Sequence, residues 1–236
     1  MPSAGGVDRR FRPGRYIESD YPPPSPQPVC PGYGADNLFA CLSNTYIGVP
    51  LIVAGLVVQE RDRGFRHLRN DYVPSFRLHY DDYLQYAPAA LMLGLKIGGV
   101  RGRSSWGRML VSDAFSVALM AGAVNSLKYT CRMPRPDGSN NKSFPSGHTA
   151  TAFMAATMLH KEYGGRNPWY SIAGYSMATV TGVSRMLNNK HWLSDVLVGA
   201  GIGILSVELG YLFADLIFKD KGLRNSSRIL LSIGIA

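Results

Sequence analysis

From Asn37 to Gln59 the chain carries no charged residue. At about 1.5 Å per helical residue, a run of that length crosses the roughly 30 Å of hydrocarbon in a bilayer. It is the first of six apolar segments. Tyr83–Val100 is apolar except for Lys96, which sits near one end, where its stem can lie along apolar surface while the amine reaches out. Met109–Leu127 is interrupted only by Asp113, and a shorter segment runs from Ser146 to Leu159. Pro168–Ser184 is uncharged and opens on Pro-Trp, a helix start with an interfacial aromatic. Trp192–Phe218 is long and mostly apolar, broken by Asp195, Glu208 and Asp215.

This pattern predicts an all-α chain: a helical bundle of six transmembrane helices. Two of the six segments are uncharged over about 18 residues or more, the length a span needs. A soluble all-helical domain with buried helices is therefore the competing reading. Gly174, Gly182, Gly199, Gly201 and Gly203 suit close helix packing in either setting. Three regions follow: a Pro/Gly-rich leader over 1–36, a helical domain over 37–218 and a basic tail over 219–236. The leader, with Pro22-Pro23-Pro24-Ser25-Pro26 at its centre, cannot build a core and is expected to be disordered or extended. It lacks the apolar stretch of a signal peptide after Arg9, Arg10, Arg12 and Arg15.

The formal net charge is +9, which suits an anionic partner. The cations form no stripe interleaved with aromatics, so nucleic acid is not expected. Three cysteines (Cys30, Cys41 and Cys131) without CxxC spacing argue against a disulfide framework and against a zinc site. Cys30 and Cys41 can pair in an oxidising compartment or remain thiols. An even number of spans puts both ends on one side, which then carries 14 Lys and Arg against 11 on the other. That excess favours cytosolic termini and places the Glu60–Asp82, Lys128–Pro145 and Arg185–His191 connections on the outer face.

Three motifs lie in those connections: Lys128-x6-Arg135-Pro136, Pro145-Ser146-Gly147-His148, and Ser184-Arg185-x5-His191-x3-Asp195. His191 and Asp195 share a helix face if the last helix begins near Asn189. A carboxylate there fixes the imidazole tautomer and leaves the other nitrogen to attack. Pro145 ends any preceding helix, and Ser146-Gly147 opens the next. Its free N–H groups form an anion site that glycine lets a phosphate approach. His148 then stands in the first turn beside the anion. Pro136 holds Arg135 extended, and Lys128 closes the third apolar helix, where a cation suits the dipole. Read singly, each motif has a plain structural meaning: a helix-end cation, a cap and turn, an i,i+4 pair.

Taken together and in this order, the three motifs closely resemble the type 2 phosphatidic acid phosphatase superfamily, which is related to the vanadium haloperoxidases. The resemblance is close from Lys128 to Asp195 and looser across the flanking helices. It implies a helical bundle with the active site at one membrane face and metal-independent phosphoryl transfer without a cofactor. By the match, His191 is the nucleophile, Asp195 its orienter and His148 the general acid. Lys128, Arg135, Ser146, Gly147 and Arg185 hold the phosphoryl oxygens. Phosphoryl transfer needs in-line positioning and neutralised equatorial oxygens, which three cations can supply.

The expected protein is a membrane phosphatase acting on a lipid phosphate: phosphatidate, phosphatidylglycerol phosphate, a polyprenyl diphosphate or a lipid A type glycolipid. It would sit in a bacterial inner membrane with its site facing the periplasm or outside. A soluble secreted acid phosphatase, a vanadium haloperoxidase and a non-enzymatic membrane phosphate binder or transport component are the alternatives. The sequence is silent on oligomeric state. Outside the motifs, His67, His79 and His160 read as surface residues, and Asp81-Asp82 as a solvated helix start. Arg132, Asn140, Asn141 and Lys142 lie where they can gate entry.

Overall fold

The computed structural model of the chain describes residues 44–218. The leader, the first residues of the first apolar segment, Cys30, Cys41 and the basic tail lie outside the described residues. Within them the fold is all-α, with eight α-helices: α1 (Thr45–Val58), α2 (Asp62–Tyr72), α3 (Asp81–Leu84), α4 (Ala87–Ile97), α5 (Trp106–Cys131), α6 (Gly147–Leu159), α7 (Pro168–Leu187) and α8 (Leu193–Phe218). Each apolar segment supplies one helix. The two short helices α2 and α3 fall in the charged connection between the first and second segments.

The local chemistry sets the ends. Ser105 caps α5, accepting from the Arg108 amide, and the helix stops at Arg132, which takes the left-handed conformation (φ 44°). The Ser146 side chain caps α6 in the same way, and the helix runs on into a single π turn, His160–Gly164. Asn167 caps α7 through the Trp169 amide at 3.0 Å, with Pro168 in the first turn. The second apolar segment yields less helix than expected: α4 has only 11 residues, and the chain turns at Gly99 with φ +81°, where a side chain is strained. By length and composition, α5 and α8 are the two described helices able to cross a membrane, each 26 residues long. Of the six spans expected from sequence, these two meet that measure among the described residues.

α8 is the axis of the bundle, packing on α1, α5 and α6. It can touch three helices because glycine faces each of them. A Cβ on Gly201 would lie 2.6 Å from the Gly48 carbonyl oxygen of α1, and one on Gly199 would lie 2.6 Å from the Ser146 carbonyl oxygen at the head of α6. A Cβ on Gly210 would collide with Ser116 of α5. Small residues of this kind let backbones approach where bulkier ones hold helices apart. Around them, Met109, Met120 and Val124 of α5, Met154 and Leu159 of α6, and Val198 and Val207 of α8 close the core. α5 has an outward apolar face, with Leu110, Phe115 and Val117 exposed.

The connections alternate between two ends, as an even up-and-down bundle requires. At one end the Arg101–Ser105 turn meets the π turn and the end of α8. Arg103 N donates to the Glu162 carbonyl oxygen at 2.9 Å, and Ser104 N to its carboxylate at 3.0 Å. Arg103 and Arg108 both hold Asp215. Lys161 pairs with the buried Glu208 at 2.9 Å, and the Tyr211 hydroxyl bridges Glu162 and Asp113 at 3.2 and 3.3 Å. The motif-bearing connections gather at the opposite end.

Candidate active site

The site is built where the start of α6, the end of α7 and the start of α8 converge. Asp195 ties them together. Its carboxylate reaches back to the Trp192 amide at 2.9 Å, closing the first turn of α8 as a capping-box acid does. The same oxygen accepts from the buried Ser143 hydroxyl. Its main-chain carbonyl takes the Ser146 amide at 3.0 Å, locking the head of α6 onto the head of α8. Gly199 permits that approach.

His191 lies before α8 rather than on it. The helix begins at Leu193, so the His191–Asp195 proximity comes from the cap and not from a shared helical face. His191 Nδ1 lies 3.5 Å from Asp195 Oδ2, longer than an ordinary hydrogen bond. His191 Nδ1 and Asp195 Oδ1 are both buried and without a partner among the described residues. The pair is thus adjacent and poised, and Nε2 is the nitrogen left to face a substrate. Burial pushes the His191 imidazole down to about 4, and the neighbouring Asp195 only partly offsets it. At neutral pH His191 is unprotonated, the form a nucleophile needs.

The cations surround this pair. Lys128, in the last turn of α5, donates to the Pro145 and Lys142 carbonyl oxygens at 2.7 and 3.1 Å, which places its amine over the start of α6. Arg135 is fixed by its backbone, its amide bonded to the Asn140 carbonyl at 2.9 Å. Its Nε is buried without a partner among the described residues, and burial together with Arg185 lowers its pKa. Among the described residues the Arg185 Nε is likewise buried and without a partner. An anion entering between them would meet buried donors already desolvated. A Cβ on Gly147 would meet nothing nearer than Lys128 Cε at 3.8 Å. Packing therefore does not demand glycine there, and the space its hydrogen leaves open faces the lysine. The Ser146 hydroxyl, fully buried, is engaged with Thr149 Oγ1 at 2.8 Å, so it acts as a helix cap in this structure.

The structure corrects a further expectation. Asp81 and Asp82 do begin a helix, α3, but Asp81 is buried rather than solvated, and the half-exposed Asp82 is tied into the pocket. Asp81 is fully buried and holds Arg185 Nη1 at 2.6 Å. Asp82 lies 2.9 Å from His148 Nε2 and 3.4 Å from Arg185 Nη1. Asn188 fastens this segment to the end of α7. Its side chain exchanges hydrogen bonds with the Leu78 backbone at 3.0 and 2.6 Å and reaches Asp81 at 3.2 Å. Arg69 of α2 adds a bond to the Leu187 carbonyl at 2.8 Å. Asp62, buried at the head of α2, caps α8 through the Ser194 amide at 3.1 Å. Asp62, Asp81, Asp82, Ser143 and Asn188 are the site residues that sequence reading missed. The usable signal was topological: the alternation of connections already put Glu60–Asp82 at the motif end. At the rim, Trp192 donates from its indole to the Pro134 carbonyl at 2.9 Å and carries the Arg66 guanidinium 5.7 Å above its ring. Lys142 lies over Tyr129 at 4.8 Å.

An all-helical bundle that gathers two histidines, a capping aspartate and three cations around one helix N-terminus defines a class of anion-binding pocket. The PAP2 superfamily pattern matches residues 110–218 of this chain. Over 173 residues the chain is 52% identical to a protein named lipid A 1-phosphatase from Porphyromonas gingivalis, an alignment covering 73% of this chain and 39% of that relative. The chain thus spans about two fifths of the relative's length. Among solved structures it is similar to LpxE from Aquifex aeolicus (24% identity, TM-score 0.47, 61% of this chain and 92% of the other). It is also similar to a transmembrane PAP2 type phosphatidylglycerolphosphate phosphatase from Bacillus subtilis (20% identity, TM-score 0.44, 76% and 98%). Asp81 and Asp82 precede the segment that the superfamily pattern matches.

Proposed function

We propose that this chain is a membrane-embedded phosphatase that hydrolyses a lipid phosphate through a phosphohistidine. The observation that carries the reading is the convergence of His191, Asp195, His148, Lys128, Arg135 and Arg185 on the head of α6. A phosphate seated on that head would have its equatorial oxygens among the α6 amides, Lys128, Arg135 and Arg185. His191 Nε2 attacks phosphorus in line while His148 protonates the departing oxygen. Water then attacks phosphorus, with His148 taking its proton, and phosphate leaves.

Among lipid phosphates, a lipid A type glycolipid phosphate ranks first, on the name of the relative at 52% identity. The outward apolar face of α5 supports placement in a bilayer. The distribution of Lys and Arg supports a bacterial inner membrane with the pocket facing the periplasm.

The test is phosphate release, in detergent with EDTA, from a panel of lipid and soluble phosphates by wild type and His191→Ala. EDTA-resistant release confined to wild type is the expected result, with lipid A type substrate turned over fastest. Preference for small soluble esters by protein that needs no detergent would point to a secreted acid phosphatase. Absence of release, with vanadate-dependent halide oxidation, would replace hydrolysis by haloperoxidase chemistry. A function that survives His191→Ala would make the pocket a binder.

A further inference from the structure

The pocket holds a second histidine–carboxylate pair. Asp82 Oδ1 stands 2.9 Å from His148 Nε2, within ordinary hydrogen-bond range. Asp82 is held there by more than its own helix. Its carbonyl takes the Gln85 side-chain amide at 2.8 Å. The residue before Asp81, Tyr80, is bonded through its hydroxyl to Ser184 of α7. The neighbouring Asp81 is clamped between Arg185 and Asn188. A carboxylate on Nε2 fixes that nitrogen as a donor, assigns the titrating proton to Nδ1 and favours the charged ring. His148 needs that help, because burial and the Arg185 guanidinium on α7 both disfavour its charged form.

We propose, resting on the phosphatase reading above, that Asp82 is a positioning residue for the general acid: it anchors His148 through Nε2 so that Nδ1 delivers the proton to the leaving oxygen. In the first step the His191 Nε2–phosphorus bond forms and the ester phosphorus–oxygen bond breaks. The Nδ1 proton of His148 moves to the departing oxygen, giving the alcohol and a neutral His148. In the second step water gives its proton to His148 Nδ1 and its oxygen to phosphorus. The nitrogen–phosphorus bond breaks, and free phosphate leaves with the charged ring restored. The two carboxylates then have opposite tasks: Asp195 orients a histidine that must be unprotonated, and Asp82 sustains one that must be protonated.

Leaving-group chemistry tests this. An alkyl phosphate needs its oxygen protonated as it departs, whereas p-nitrophenolate leaves unaided. Asp82→Asn in the full chain keeps the side chain's size and removes its charge. It is expected to lower kcat on an alkyl phosphate by about 100-fold, in the range of a lost general acid, and by less than about 10-fold on p-nitrophenyl phosphate, with KM little changed. Asp82→Glu should restore part of the loss. The alkaline limb of kcat/KM on the alkyl ester, which requires charged His148, should move to lower pH. Asp82 and Asp81 of α3 and Arg185 of α7 are the charged groups that set it. A histidine NMR titration of the variant should show His148 less basic, a readout independent of turnover. Equal losses on both esters would reduce Asp82 to a structural tie. A gain in activity would make it an inhibitory occupant of the anion pocket. Absence of His191-dependent release by wild type would overturn the phosphatase reading and this proposal with it.

Discussion

At the residue scale the pocket rests on side chains with more than one task. Asp195 caps α8, accepts from Ser143 and faces His191, so Asp195→Ala would disturb both the helix and the proposed nucleophile. Asp195→Asn is the cleaner change. It keeps an acceptor for the Trp192 amide while removing the charge that orients the imidazole and offsets the positive charge it gains on bonding to phosphorus, and it should lower kcat by about 100-fold, less than the loss in His191→Ala. His191 itself should titrate near 4. Protonation removes its attacking lone pair, so its reactive form is lost only as pH falls through that value. Histidine NMR showing a His191 midpoint near 6.5 would contradict this. Gly147 offers a separation of binding from folding. A Cβ there touches no protein atom closer than 3.8 Å, so Gly147→Ala should leave the melting temperature unchanged and raise KM, because the methyl occupies the space between the α6 head and Lys128. The eight candidate residues of the motifs could be picked out in sequence because each carries chemistry at a fixed spacing. Asp81, Asp82 and Ser143 were not, since their roles depend on which connection folds beside which.

Helices show the same division. The starts of α6 and α7 were readable from Ser146-Gly147 and Pro168, because caps and prolines act locally. The start of α8 was placed too early, since the cap that defines it is formed by Asp195 reaching backward and by Asp62 from a distant helix. The length of α4 was overestimated, because apolar composition continues past the Gly98-Gly99 turn that ends the helix. The glycines of α8 were visible as a pattern but not their targets. Those targets make volume the governing variable. Gly199→Ala places a methyl against the Ser146 carbonyl and should cost about 1–3 kcal/mol, typical of overpacking. It should also depress turnover through the displaced head of α6. Thermal unfolding with parallel kinetics checks it; a variant as stable and active as wild type would show that the two helices can separate freely.

Across the whole molecule, charge is arranged differently at the two ends. Opposite the pocket, Glu208 and Arg108 are each only 1% exposed, and the pairs Lys161–Glu208 and Arg103–Asp215 lie largely out of water. At the pocket end, Arg66 and Lys142 stand exposed on the rim. Dissolved ions screen exposed charges over a Debye length of about 8 Å near physiological salt and reach buried pairs far less. Ionic strength therefore becomes a dial that turns substrate capture without turning stability. KM for a phosphate ester should rise as sodium chloride is raised from low to near-molar concentration, while kcat and the melting temperature stay nearly level. On the proposed reading, swings in salt would change how much phosphate ester this protein captures, and not whether it stays folded.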